Sequence, residues 1–345
     1  MTSLLDIQDL TITYRGARGH VPAVRGVSFS LQAGETIGIA GESGSGKSTL
    51  GMSLLRLLPK ETKVEGELLF NGEDILTMKF GRLRAVRWSG ASMIFQGAMH
   101  ALNPVHRIGQ QIAEPIEVHN PSMGAKAVSS RVTELLDQVG LPAWRAENYP
   151  HELSGGQRQR VMIAMALACD PELIIADEAT TALDVMVQAQ VLQLLRDLVA
   201  ERQMGLIMIS HDLSVLADMC DRVAVMYAGQ IVEVGQGHAM FTAPRHPYGA
   251  ALGSAFPVIG DPEARRNPRG LAGDPPVPTD LPSGCPFHPR CPVARDDCST
   301  TVPELLPVKA PDEDLRRSAC LVAQDGQSIR PSSPVPPTST QEPVT

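Results

Sequence analysis

The nine residues GESGSGKST, 41 to 49, decide the fold. Three glycines and three serines surround a single lysine, and the stretch separates an apolar segment from a leucine-rich one. The spacing fits G-x-x-x-x-G-K-[ST], the phosphate-binding loop, through Gly41, Gly46, Lys47 and Ser48. The motif requires a strand before it and a helix after it, and the apolar and leucine-rich flanking segments fit that requirement. A phosphate-binding loop is therefore favoured over a flexible loop that matches the motif by chance.

The loop predicts the chemistry of its ligand. Glycines let consecutive backbone N–H groups turn inward at a helix N-terminus, where they bind phosphate oxygens. Lys47 is expected to reach the β- and γ-phosphates, and the Ser48 hydroxyl to bind Mg²⁺. The candidate nucleotide-binding residues of this segment are Gly41, Glu42, Ser43, Gly44, Ser45, Gly46, Lys47, Ser48 and Thr49.

Composition limits the classes of protein. The 345 residues suffice for one large domain with an appendage, and 43% hydrophobic with 20% charged residues is ordinary for a soluble protein. A formal net charge of −8 argues against nucleic acid as a partner. The first ten residues lack a basic signal-peptide region, and no apolar stretch reaches the ~18 residues of a membrane span, so we expect a cytosolic protein.

The order of segments predicts an α/β fold with a largely parallel central sheet. Short apolar segments typical of strands alternate with helical ones, of which 187–203 is the longest. Of 28 prolines, 18 follow residue 256, as do four of the six cysteines. We therefore expect a compact domain over 1–256, an irregular cysteine-rich extension over 257–322, and a disordered tail over 323–345.

A second motif supplies acids. LIIADE, residues 173–178, is an apolar strand that ends in two carboxylates. Ligands bind at the carboxyl ends of strands in open α/β sheets, so Asp177 is predicted to hold Mg²⁺ through water and Glu178 to polarise the attacking water. The alternative interpretation of LIIADE is a strand edge followed by a solvated turn. The presence of the phosphate-loop lysine, Lys47, in the same sequence makes this alternative less favourable.

LSGGQRQR, residues 153–160, is a second Ser-Gly-Gly entry into a helix and thus a second anion-binding site. One nucleotide does not need two such sites from one chain, which indicates a second subunit. The phosphate loop, LSGGQ, LIIADE and the histidine of ISHD, in that order, resemble the ATP-binding subunits of ABC transporters. The resemblance implies a P-loop ATPase fold of the ABC type, with a central mixed sheet and a helical subdomain at about 97–165.

In that family two ATPase domains face each other head to tail, and the resemblance implies the roles of further residues. Ser154, Gly155, Gly156 and Gln157 would contact ATP held mainly by the partner. Gln96 matches the glutamine that senses Mg²⁺ and the lytic water, so Mg²⁺ is assigned to Ser48, Gln96 and Asp177. Other matches are Asp184 at the dimer interface, His211 at the γ-phosphate, and Tyr14, which either stacks on adenine or packs at a strand edge.

The extension carries a second candidate site. Cys285, Cys291, Cys298 and Cys320 form a C-x5-C-x6-C-x21-C array. In a reducing compartment a disulfide framework is disfavoured and a metal site is favoured. Four thiolates suit either Zn²⁺ or an iron-sulfur cluster, the spacing does not decide between them, and four unligated cysteines are a third alternative.

GCPFHPRCP, residues 284–292, resembles the tail of dipeptide and oligopeptide importer ATPases, which implies a [4Fe-4S] cluster at the four cysteines. It further implies a second ATPase subunit, two membrane permeases and an extracytoplasmic substrate-binding protein, with this chain at the cytoplasmic face of the membrane. Di- and oligopeptides are the expected cargo, with nickel chelates, glutathione or oligosaccharides as alternatives. A nucleotide-sensing regulatory subunit is disfavoured because Glu178 and His211 are both present.

Overall fold

The fold consists of two β-sheets, a helical part inserted between strands, and a C-terminal extension. We analysed a computed structural model, which describes residues 3–16, 19–97, 101–181, 183–255, 271, 273–308 and 316–329. The strands, in chain order, are β1 Leu5–Gly16, β2 Gly19–Leu31, β3 Thr36–Ala40, β4 Lys63–Phe70, β5 Glu73–Asp74, β6 Ala91–Ile94, β7 Leu173–Asp177, β8 Gly205–Ser210, β9 Arg222–Tyr227, β10 Gln230–Gln236, β11 Leu306–Pro307 and β12 Arg317–Ser318.

The central sheet has eight strands in the order β11-β12-β10-β9-β3-β8-β7-β6. Strands β9, β3, β8, β7 and β6 are parallel, whereas β10, β12 and β11 join one edge in antiparallel pairs. The parallel strands are almost wholly buried and apolar, as strands with both faces covered must be. The predicted central mixed sheet is confirmed.

A second, antiparallel sheet of four strands has the order β2-β1-β4-β5. Strands β1 and β2 are long and alternate between buried and accessible side chains, as expected for a sheet with one face on a core. Their inward side chains, such as Leu10 and Val24, join those of β3 and of the helix after it, such as Ile39 and Leu50, in one hydrophobic core. This core holds the phosphate loop between two sheets.

Ten α-helices cover the sheets in the described part of the chain. Their bounds are α1 Lys47–Ser53, α2 Phe80–Val86, α3 Ile108–His119, α4 Ala125–Gln138, α5 Gly155–Ala166, α6 Val185–Arg202, α7 Leu213–Met219, α8 Gly237–Thr242, α9 Pro247–Ala255 and α10 Leu321–Gln324. The predicted helix at 187–203 corresponds to α6. Within the described ranges, none of these helices combines the length and the apolar composition that crossing a bilayer requires.

Helices α3, α4 and α5 form the helical part that the sequence places at about 97–165. The apolar stripe of α4, including Val128 and Leu135, packs with Ile112 of α3 and Val161 of α5. These side chains are at most 5% exposed, so the helices share one core with α6. The loop before α3 includes residues 98–100, which lie outside the described residues.

The C-terminal extension packs against the rest of the chain through the central sheet. Strand β12 pairs with β10, and β11 pairs with β12, so the extension lengthens the sheet by two short strands. Before β11 the described part of the extension is irregular, with 3₁₀ turns at His288–Arg290 and Asp296–Ser299. The tail predicted from residue 323 begins within α10, where Ala323 is buried, and Ile329 packs nearby. Residues 323–329 thus belong to the extension, and 330–345 lie outside the described residues.

A buried polar junction joins β10 to the segment before α9. Glu233 is fully buried and accepts hydrogen bonds from the backbone N–H groups of Arg245 (2.6 Å) and His246 (2.9 Å). Burial raises the pKa of Glu233 to about 7, although the two N–H donors oppose that shift. Burial lowers the pKa of His246 to about 3. Folding therefore favours a neutral carboxyl and a neutral imidazole.

The Glu233→Gln substitution tests this junction. The folded pKa of Glu233 lies above its ordinary value of 4.5, so its contribution to stability is full below pH 4.5 and is lost as the pH rises through 7. Glutamine does not titrate. The free energy of unfolding of the variant, relative to wild type, should therefore rise by about 2 to 3 kcal/mol between pH 4.5 and pH 7.5.

Urea denaturation at several pH values measures this difference. His246 is unchanged in both proteins, so its own titration cancels in the comparison. A constant difference between the two proteins over this pH range would show that Glu233 does not have a raised pKa.

Candidate functional site

The phosphate loop lies between β3 and α1, as its motif requires. Gly46 has φ 102°, in the region that favours glycine, and a Cβ at this position would clash with the carbonyl oxygen of Ala23 in β2. Gly41 is similarly enclosed by the carbonyl oxygen of Met226 in β9. The loop is thus shaped by backbone from both sheets, which explains why glycines are needed at these two positions.

Lys47, the first residue of α1, is 5% exposed. Its Nζ donates hydrogen bonds to the carbonyl oxygens of Gly41 (2.7 Å) and Glu42 (2.8 Å). Burial lowers the pKa of Lys47, while the nearby carboxylates of Glu178 and Asp177 oppose that shift. The ammonium group is therefore held inside the loop, where phosphate oxygens can replace these carbonyls as its partners.

The predicted magnesium ligands Ser48 and Asp177 are adjacent. The Ser48 hydroxyl donates to Asp177 Oδ1 over 3.1 Å, across 129 residues of sequence. Asp177 ends β7 and is 5% exposed; burial raises its pKa, and the bond from Ser48 partly offsets this. A hydroxyl and a carboxylate at this spacing are oxygen ligands of the kind that Mg²⁺ prefers, so the donor set fits the predicted metal.

Glu178 is the centre of a hydrogen-bonded cluster. Its Oε2 accepts bonds from Gln96 Nε2 (2.7 Å) and Thr181 Oγ1 (3.0 Å), and His211 Nδ1 lies 3.6 Å from Oε1. Its backbone has φ 45°, an uncommon conformation for a residue with a side chain, and its N–H donates to Ile209 O. The carboxylate is therefore positioned by groups on several segments.

These residues meet because parallel strands end at the same edge of a sheet. The phosphate loop follows β3, Gln96 follows β6, Glu178 follows β7 and His211 follows β8. The structure thus brings together the loop and the predicted catalytic residues. Sequence reasoning missed Thr181, although a hydroxyl three residues beyond Glu178 was a signal that could have been used.

Tyr14 lies on β1, beside the helix that follows the phosphate loop. Its hydroxyl oxygen is 3.1 Å from Thr49 Oγ1, and its side chain is half-buried. This places an aromatic ring next to the loop. Stacking on adenine remains a prediction.

The LSGGQ segment opens α5 in the helical part. Ser154 caps the helix: its Oγ accepts from Gln157 N (3.3 Å), and Gln157 Oε1 accepts from Ser154 N (3.1 Å). Asp184 caps α6 through one bond, in which its Oδ1 accepts from Val187 N at 3.0 Å. These bonds are local, and contact with a nucleotide held by a partner subunit remains a prediction for Ser154, Gly155, Gly156, Gln157 and Asp184.

The four cysteines of the extension line one small cavity. All four are free thiols. Burial raises the pKa of Cys285 to about 11 and that of Cys291 to about 12, with the neighbouring thiols acting in the same direction. However, no group of three or more His, Cys, Asp or Glu side chains in the described ranges is arranged to hold a metal ion. The donor set is correct for a metal centre, but the iron-sulfur prediction gains no direct support.

Two known families match the sequence. Residues 24–181 match the family described as ABC transporter, and residues 232–298 match the family described as oligopeptide/dipeptide transporter, C-terminal region. The first match contains the phosphate loop, Asp177 and Glu178. The second contains Arg290 and the first three cysteines of the extension.

Individual relatives agree with these matches. The chain is 47% identical to the oligopeptide transport ATP-binding protein OppD of Escherichia coli, over 87% of this chain and 89% of the relative. It is 47% identical to a putative peptide import ATP-binding protein of Brucella abortus, over 86% and 89% respectively. Among solved structures, it is similar to the dimeric, post-hydrolysis ATP-binding cassette MJ0796 bound to ADP and Pi (TM-score 0.61, 28% identity, 67% of this chain and 98% of that chain).

Two neighbouring glycines at the start of α5 allow a matched test of packing. A Cβ at Gly156 would overlap Val187 of α6, whereas a Cβ at Gly155 would be 3.6 Å from Leu183, an ordinary contact. Gly156→Ala should therefore lower the free energy of unfolding by about 1 to 3 kcal/mol through overpacking. Gly155→Ala should change it by less than about 1 kcal/mol.

Urea denaturation of both variants measures the difference. Equal stabilities of the two alanine variants would show that α5 and α6 are not in the close contact described here.

Proposed function

Because this chain belongs to the ABC transporter family of ATPases, we propose that it is the ATP-hydrolysing subunit of an importer of di- and oligopeptides. The observation that carries the proposal is the Glu178 carboxylate, which is held by Gln96 and Thr181 beside a phosphate loop whose lysine is buried. The cargo follows from the matched C-terminal region and from the peptide-import relatives.

The proposed reaction transfers the γ-phosphoryl group of ATP to water. The loop N–H groups and Lys47 bind the phosphates, and Ser48 and Asp177 would hold Mg²⁺, which would neutralise negative charge on the phosphates. Glu178 orients and polarises the attacking water as general base, and His211 contacts the γ-phosphate. Gln96 fixes the Glu178 carboxylate and joins this site to the segment that follows β6. Catalysis is mainly positioning and electrostatic stabilisation.

The proposed active form is a pair of ATPase subunits. Ser154 to Gln157 of one subunit would complete the nucleotide site of the other. This is supported by exposed apolar side chains beside Asp184, since Val185 and Met186 are 68% and 72% exposed at the start of α6. ATP binding would close the pair, and hydrolysis with phosphate release would reopen it.

Closure would move two permease subunits in the membrane. Val105, before α3, is 75% exposed and Phe95, beside Gln96, is 40% exposed, which provides an apolar surface for a permease helix. The chain would therefore bind at the cytoplasmic face of the membrane, and an extracytoplasmic binding protein would deliver the cargo.

The cargo itself separates the main proposal from its alternatives. Nickel chelates, glutathione or oligosaccharides would use the same ATPase chemistry with other permeases. Purification of the intact complex with its binding protein, followed by mass spectrometry of the released ligand, tests this. Recovery of peptides would support the proposed cargo. Recovery of a nickel chelate, glutathione or an oligosaccharide would overturn the peptide assignment and leave the ATPase role in place.

For the extension, we infer that the four cysteines hold a metal centre, with a [4Fe-4S] cluster preferred to Zn²⁺. The inference is supported by four free thiols around one cavity and by the C-terminal region that the chain shares with oligopeptide/dipeptide transporters. The ligands would be Cys285, Cys291, Cys298 and Cys320, deprotonated on binding.

Glu178→Gln tests the catalytic assignment. Glutamine keeps one carbonyl oxygen that can accept the hydrogen bonds from Gln96 and Thr181. It does not accept a proton from water, so the steady-state rate should fall by at least about 100-fold. ATP binding should persist, and the closed dimer should accumulate. Phosphate release by the assembled transporter and size-exclusion chromatography with MgATP measure the two effects.

The matched control is Glu172→Gln, which removes the same charge at the other end of β7, where Glu172 bonds Asn71. The control should hydrolyse ATP at the wild-type rate. Unchanged hydrolysis in Glu178→Gln would contradict the role of Glu178 as base.

Cys298→Ser tests the metal centre. The full chain, purified without oxygen, should contain iron and acid-labile sulfide, and the variant should lose most of both because one of four ligands is missing. Cys220→Ser, which changes a buried core thiol, should keep the wild-type metal content. Stoichiometric zinc would favour the alternative metal, and a metal-free wild-type chain would contradict both.

A further inference from the structure

The phosphate loop contains one carboxylate, Glu42, at its second position. A negative charge here is unfavourable for a loop that binds phosphates, since like charges repel at short range. In the structure the Glu42 side chain is 26% exposed and bonds Arg290 with both oxygens, Oε2 to Nη1 at 2.8 Å and Oε1 to Nη2 at 3.0 Å. The carboxylate is thus neutralised by a residue 248 positions away.

Arg290 belongs to the extension, in the 3₁₀ turn between Cys285 and Cys291. Its side chain is only 7% exposed, and Nη1 also donates to the hydroxyl of Tyr227 at 3.3 Å. A bidentate, largely buried arginine is geometrically well defined, unlike a surface lysine. The turn between two of the four cysteines therefore makes a fixed contact with the loop.

Aromatic residues of the domain and of the extension also pack next to the phosphate loop. The rings of Tyr227 and Tyr248 pack at a centroid distance of 4.6 Å, tilted by 57°, and Phe287 of the extension packs on both, at 5.3 and 5.4 Å. The Tyr248 hydroxyl accepts the backbone N–H of Glu42 at 2.8 Å. Glu42 is therefore fixed at its backbone by one element and at its side chain by another.

We propose that Arg290 is a positioning residue for nucleotide binding, so that the cysteine-rich extension forms part of the ATP site. The proposal rests on the proposed function, because it assumes that the loop binds MgATP. Arg290 removes the repulsion between Glu42 and the phosphates and fixes the first turn of the loop, whose carbonyl groups hold Lys47. It does not touch the reacting atoms, so it acts on affinity and not on the chemical step.

Arg290→Met is the primary test, because methionine keeps much of the apolar stem and removes the charge. The Kd of the full chain for MgATPγS, measured by calorimetry, should rise about tenfold, the size expected for one lost charged hydrogen-bond partner. In the assembled transporter the KM for ATP should rise similarly, while kcat should stay within about twofold of wild type.

A double variant separates this electrostatic role from a merely structural one. In Glu42→Gln with Arg290→Met neither charge remains, so the repulsion is absent and MgATPγS should bind more tightly than to Arg290→Met alone. If Arg290 only stabilised the extension, the double variant would be as weak as Arg290→Met or weaker, which would overturn the proposal.

The control is Arg295→Met, five residues further along the extension. Arg295 pairs with Asp297 and Asp325 and not with the loop. This variant removes the same charge from the same extension, and it should bind MgATPγS like the wild type. An equal loss of affinity in both variants would overturn the proposal.

Hydrogen exchange of the nucleotide-free chain gives a readout that does not depend on ATP. The amides of Ser43 to Ser45 should exchange faster in Arg290→Met than in wild type or Arg295→Met. A wild-type chain that binds no nucleotide would overturn the proposed function, whereas faster loop exchange would still support the contact. Equal exchange together with equal affinity would overturn the role of Arg290.

Discussion

The site depends on the balance of charge around one buried ammonium group. Lys47 is surrounded by backbone carbonyls, and Asp177 and Glu178 are close enough to stabilise its charge. This arrangement leaves negative charge in excess, and a triphosphate adds more. In the proposed function, other positive groups would compensate this charge: the N-terminus of α1, a metal ion at Ser48 and Asp177, and Arg290 opposite Glu42.

The sequence predicts those parts of the site in which neighbouring residues carry the function. The phosphate loop is contiguous, and its glycines are required by close backbone approaches that the structure confirms at Gly41 and Gly46. The two acids of LIIADE end a buried strand, and that position brings them to the loop. The parallel core of the sheet follows from the alternation of apolar strands with helices. Such predictions work because a local pattern determines a local conformation, and parallel strands then align their ends.

The remainder of the site depends on contacts between distant parts of the chain. Glu42 with Arg290 and β10 with β12 join segments that composition describes as separate domains. Glu42 N with Tyr248 joins segments 206 residues apart within the predicted compact domain. Proline and cysteine content predict an extension after residue 256, but they do not indicate that it adds strands to the central sheet. The sequence around Arg290 does not predict its contact with Glu42. An arginine between two cysteines could equally lie beside a metal cluster or on the protein surface.

The position of LSGGQ within the single chain supports the proposed pairing of two subunits. Ser154 and Gln157 satisfy each other at the start of α5, and Gly156 allows this start to lie against Val187 of α6, whose own first turn is capped by Asp184. LSGGQ and the aspartate at the head of α6 are thus fixed to each other, within the packing of the helical part. The phosphate loop and Glu178 are fixed to the sheet instead. A nucleotide that bridges two subunits would therefore join the sheet of one to the helices of the other, and cleavage of its terminal phosphate would remove that join. In the proposed mechanism, the separation of the two halves of the site within one chain would allow hydrolysis to produce motion.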